Sequence, residues 1–159
     1  MSREKELNLD LLGKMRDAIK DSIQEGSLSK HLPEMNNPQF DMTTVWFEEK
    51  HRCRTGMCMV GLVLSLNGLP IKQLRMLNNS AGVDAARDIL GLTMEEGDRL
   101  FFAEGSSAPW SHVTAEMAVY ALDSLILTGV VMWPGQFPPS HPLSVLRAIT
   151  SALSHLPAR

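Results

Sequence analysis

The stretch His51-Arg52-Cys53-Arg54-Thr55-Gly56-Met57-Cys58-Met59-Val60-Gly61-Leu62-Val63-Leu64 decides how this chain is read. It holds both cysteines and a basic cluster, then passes into the most apolar helix-like run in the sequence. Thr55 is a candidate N-cap, because its hydroxyl can accept from an orphan amide of the first helical turn where the apolar residues begin. Met57, Val60 and Leu64, with Met59, Val63 and Leu66 one turn apart, predict a helix over 56–66 with almost no polar face. Such a helix has to be wrapped by others, which places it at the centre of a domain. Gly61 permits close approach of a neighbouring helix, and Asn67-Gly68 supplies the stop.

Working outward, the segments on either side are amphipathic. Over 8–25, Leu9, Leu12, Ile19 and Ile23 form one face with Met15 beside them, and Lys14, Arg16, Asp17, Lys20 and Asp21 form the other. Gly26 ends this helix, and Ser27 to Gln39, with Pro33 and Pro38, reads as a surface connection. Phe40 to Phe47 is β-branched and aromatic and predicts a short strand or ordered turn. Downstream, Pro70 starts a short helix containing Ile71, Leu74 and Leu77, with Asn78-Asn79-Ser80 as its stop.

A helix over 81–90 closes at Gly91. Thr93-Met94-Glu95-Glu96 then forms a capping box for a helix over 94–102 that turns Leu100, Phe101 and Phe102 inward. Thr114 caps a helix over 115–128 that stops at Gly129. Val130 to Pro139 contains three prolines and is expected to lie as a strap across the surface. A last helix is expected over 142–155, with Pro142 in its first turn. The expected fold is all-α: one domain, residues 1–159, of about six helices around a buried central one.

Composition narrows the function. A chain of 159 residues is long enough to bury one core without disulfides or metals. Its net charge of −3 argues against a general phosphate-backbone binder. The helix pair 81–90 and 94–102 has a helix-turn-helix outline, but the second helix carries Glu95, Glu96 and Asp98, which repel phosphate. Two cysteines five positions apart are not a secreted disulfide framework, and Met1 to Glu6 lacks the apolar core of a signal peptide. With no apolar run long enough to span a bilayer, a cytoplasmic protein without membrane contact is expected.

Several segments, in order, resemble a family of small uncharacterised proteins of bacteriophages and bacterial genomes. The likeness rests on the aromatic segment Phe40 to Phe47 and on Cys53-x-Thr55-x-x-Cys58 leading into the helix with Gly61. It continues through Leu90-Gly91-Leu92-Thr93, Arg99-Leu100-Phe101 and the Thr114-Ala115-Glu116 helix that ends Thr128-Gly129. It covers the middle two thirds of the chain. Arg54 departs from the pattern, standing where a glycine is usual, as do Met57 and Met59 beside the second cysteine. The family has no established activity, so the resemblance implies a helical fold and a phage-type origin.

The cysteine corner carries the most reactive side chains. His51, Cys53 and Cys58 are all zinc-binding types, with His31, His112 or His141 as the candidate fourth ligand, and the four residues between the cysteines put them at the wide end of paired-zinc spacing. Cys58 is expected in the core as a small hydrophobe, so no metal or other cofactor is expected. Cys53, flanked by Lys50, Arg52 and Arg54 and ahead of a helix start, would have a lowered thiol pKa, which with His51 as base makes a thiol enzyme the alternative reading. The same cations at a helix start would suit an anion or an acidic partner group.

No orienting acid or oxyanion arrangement follows from the spacing. The first reading is therefore a non-catalytic module that binds a protein partner, a host factor if the origin is phage. Its contact residues would be Lys50, Arg52 and Arg54, together with Trp133 and Phe137 as exposed aromatic anchors on the strap.

Overall fold

The computed structural model describes residues 5–35, 37–41, 47–51, 54–104, 106 and 112–134. Among these the chain runs through α1 (Leu9–Glu25), β1 (Gln39–Phe40), β2 (Phe47–His51), β3 (Arg54–Met57), α2 (Met59–Leu66), α3 (Ile71–Met76), α4 (Asn79–Leu90), α5 (Met94–Phe101) and α6 (Ala115–Thr128). The fold is helical, as the periodicities predict. Strand is confined to short pieces: β3 pairs antiparallel with β2, and the two residues of β1 join the other side of β3 in parallel. The helix expected over 142–155 lies outside the described residues.

The central helix starts later than its apolar pattern suggests. Thr55 does not cap it; Thr55 pairs with Glu49, and Gly56 is flanked by Glu48 on one side and Gln39 on the other. Cys58 is the N-cap residue of α2, extended at φ −85° and ψ −174° and without a side-chain capping bond. The reason is competition for backbone groups. Residues 54–57 are bonded by two neighbouring strands, and a ladder of that kind outweighs the single bond a threonine cap can supply.

From Met59 to Leu64 every residue of α2 is buried, and the helix packs on α1, α4, α3 and β3. This is the wrapped inner helix that the lack of a polar face demands. The core around it is drawn from Leu12, Met15 and Ile19 of α1, Leu90 of α4, Leu100 and Phe101 of α5, and Leu122 and Leu125 of α6. The inward face of α1 is rotated from the expected one: Leu11 and Ala18 are buried, whereas Leu9 and Ile23 are exposed. Phe102, expected inside, is also exposed, because α5 ends at Phe101 and Ala103 turns the chain with φ +50°.

Local signals set most of the helix ends. Thr93 and Glu96 form the complete capping box, Thr93 Oγ1 accepting from the Glu96 amide at 3.2 Å and Glu96 Oε1 accepting from the Thr93 amide at 2.9 Å. Thr114 Oγ1 accepts from the Met117 amide at 3.2 Å. Asn78 caps α4 through its side chain, so Asn79 and Ser80 belong to that helix and not to a turn. The largest pairing of helices is α1 on α6, where Arg16 on α1 reaches Asp123 on α6 at 3.3 Å.

The amino-terminal segment is tied to the end of α4. Asn8 caps α1 with its side-chain oxygen, its amide donates to Leu90 O at 2.9 Å, and Lys5 pairs with Asp88. This docking requires glycine at position 91. Gly91 has φ +73°, and a Cβ there would lie 2.1 Å from the Glu6 carbonyl oxygen. Replacement by Ala therefore costs left-handed strain plus displacement of the Glu6 backbone. Gly91→Ala is expected to lower unfolding stability by about 2 kcal/mol or more in urea denaturation; an unchanged midpoint would contradict the clamp.

Candidate functional site

The cysteine corner is built from a hairpin, not from a helix start. Lys50 and His51 end β2, Arg54 opens β3 paired with His51, and Arg52, Cys53 and the side chains of Lys50, His51 and Arg54 lie outside the described residues. All of β3 separates Cys53 from the first residue of α2. The helix start expected at residue 56 thus falls at Met59. Cys58 is in the core at 6% exposure, as expected.

The histidines considered as a fourth zinc ligand are dispersed in role. His31 Nε2 lies 2.7 Å from Asp21 Oδ2, His112 is on the surface, and His141 lies outside the described residues. Among the described residues no group of three or more His, Cys, Asp or Glu side chains is arranged to hold a metal ion.

The proline-rich strap enters the fold instead of crossing its surface at residues 131–133. Val131, Met132 and Trp133 are buried, and Trp133 is fully so. Its indole Nε1 donates to Arg99 O at 2.8 Å, which satisfies the one polar atom of the ring. Val130 is held just before it: Ser124 Oγ donates to Val130 O at 2.8 Å, and the Val130 amide donates to Thr128 Oγ1 at 3.2 Å. Trp133 is thus a core residue and not an exposed anchor. The apolar run Val130-Val131-Met132 ahead of it was the signal for burial, overshadowed by the prolines that follow. Phe137 lies outside the described residues.

Packing of this segment on α5 leaves a cleft of about 570 Å³ between them, lined by Met94, Asp98, Arg99, Glu104, Val130 and Val131 among others. Carboxylates dominate its charge. Glu96 is engaged in the capping box, and Glu95 lies 3.2 Å from Arg99 across one helical turn. Asp98 and Glu104 have no ion-pair partner among the described residues. Glu104 follows Ala103, whose φ of +50° is a conformation that costs about 1–2 kcal/mol for a residue with a Cβ. Large apolar side chains stand exposed nearby in the chain: Met94 at 66% in the lining itself, Phe102 at 48% two residues before Glu104, and Leu127 at 62% two residues before Gly129.

A second cleft, of about 460 Å³, lies between the loop after α1 and the loop after α2, with His31, Leu32, Met35, Ser65 and Leu69 in its lining. The Ser65 hydroxyl is buried and has no hydrogen-bond partner among the described residues. His31 Nε2–H donates to the Asp21 carboxylate at 2.7 Å, and Lys30 lies 3.5 Å from the same carboxylate oxygen. The His31 hydrogen bond, aided by Lys30, holds the Asp21 carboxyl below the usual carboxylate range.

Comparison of the chain with family models, with curated proteins and with solved structures yields no match. The geometry therefore stands alone as the guide to function. No helix among the described residues is long and apolar enough to cross a membrane.

Burial of Cys58 has a chemical consequence. A buried thiol is shielded from electrophiles in solution. In native protein treated with iodoacetamide at pH 8, peptide mass spectrometry is expected to show Cys58 unmodified until denaturant is added. Rapid native labelling of Cys58 would contradict its place in the core.

Proposed function

We propose that the chain is a non-catalytic interaction module that docks a segment of another protein in the cleft beside α5. One observation carries this reading: the cleft lining includes Met94, a large apolar side chain 66% exposed on the first turn of a helix whose inner face is already buried. Exposed apolar surface costs solubility, and its concentration beside a concave surface is characteristic of contact sites. Methionine suits this role, since its unbranched thioether adapts to a partner's shape. Phe102 and Leu127 are further exposed apolar side chains, each two positions in the chain from a lining residue, Glu104 and Gly129.

The resemblance to phage and bacterial proteins supports a host-encoded protein as the partner. The anchor role passes from Trp133, which is buried, to the exposed Met94 and Phe102. A thiol- or zinc-dependent enzyme at His51, Cys53 and Cys58 has less support, because Cys58 is buried and β3 stands between Cys53 and α2.

A photo-crosslinking amino acid placed at position 94 tests the reading, with the exposed position Lys20 on α1 as control. In bacterial cells, position 94 is expected to give a discrete adduct with another protein that position 20 does not give. The same adducts from both positions, none from position 94, or a link from position 94 to residues 135–159 of the chain itself would each refute it.

A further inference from the structure

We infer that the segment docking in this cleft is cationic: an amphipathic stretch of a partner protein that presents Lys or Arg side chains around an apolar residue. The inference rests on the docking reading above and adds the chemistry of the partner. It follows from which lining charges are already compensated. Glu95 is answered by Arg99, and Glu96 is engaged at the Thr93 amide, so neither needs a counter-charge from outside. Asp98 and Glu104 have none among the described residues.

Docking removes water from the lining. A neutral apolar segment laid over Met94 would partly desolvate the Asp98 carboxylate without compensation, and an acidic one would add repulsion. A lysine or arginine flanking the apolar anchor removes that cost and steers the encounter. Nucleic acid is excluded by the same carboxylates. A bare metal ion is a poor occupant, since the cleft measures about 570 Å³ and no metal-holding group exists among the described residues.

Two labelled helix-forming probe peptides of about 14 residues test the inference, alike in their leucines and carrying lysine or glutamate at every polar position. Binding to the full chain is read by fluorescence anisotropy. The lysine probe is expected to bind saturably, to weaken roughly tenfold with Asp98→Lys/Glu104→Lys, and to weaken less with Asp98→Asn/Glu104→Gln. Raising salt from about 50 to about 300 mM is expected to weaken the same complex. The glutamate probe is expected to bind only the lysine double variant.

Equal binding of both probes to the unaltered chain, no binding of the lysine probe, or indifference of that probe to both double variants would overturn the inference. Met94→Ser separates the two levels. If both probes bind equally and both weaken with Met94→Ser, the cationic preference fails while docking survives. If probe binding ignores Met94→Ser, docking in this cleft fails as well.

Discussion

Six consecutive buried residues, Met59 to Leu64, constrain the rest of this molecule. A helix with no polar side can lower its free energy only by removing its whole circumference from water. Full burial of Leu62, Val63 or Leu64 is worth ~1.5–3 kcal/mol each relative to exposure. The covering is shared among elements that are separately too short or too amphipathic to stand alone: α1 and α4 on its sides, α3 after its end, β3 before its start. α1 and α4 turn their apolar stripes inward and their charges outward, and that division leaves a charged surface with a few apolar exceptions.

The covering layer is fastened at points where one residue serves two elements. Asn8 caps α1 while its amide and its side-chain nitrogen both donate to carbonyls at the end of α4. Trp133 fills the core and bonds the backbone of α5 through Arg99 O. That second fastening positions Val130 and Val131 against α5 and so creates the cleft. The candidate docking site is thus a by-product of core packing, decorated by an exposed methionine and two carboxylates for which the described fold supplies no counter-charge.

Signals that act within a few residues were legible in the sequence. The Thr93 box, the Thr114 cap, the stops at Gly26, Gly91 and Gly129 and the apolar centre of α2 all depend on neighbours in the chain. What depends on distant partners was not. Thr55 has the chemistry of a cap, but its place in β3 is determined by Glu49 on one adjacent strand and by the ladder that runs from Gln39 on the other. Ile23 and Leu9 fit the α1 periodicity yet face outward, since the rotation of a helix about its axis is chosen by what it packs on. The cleft joins Asp98 and Val130 across more than thirty positions, and no local pattern announces it. Of the expected site residues, Trp133 moved to the core, Cys58 was rightly placed there, and Arg52, Cys53 and Phe137 lie outside the described residues.

Amide hydrogen exchange under native conditions tests the central claim most directly. If α2 is the helix that everything else covers, the amides from Leu62 to Leu66 open only when the whole domain unfolds. Their exchange free energies should then equal the global unfolding free energy and fall in step with it as denaturant rises. Exchange of those amides at a markedly lower free energy, independent of denaturant while α1 and α6 stay protected, would show that the centre of the fold lies elsewhere.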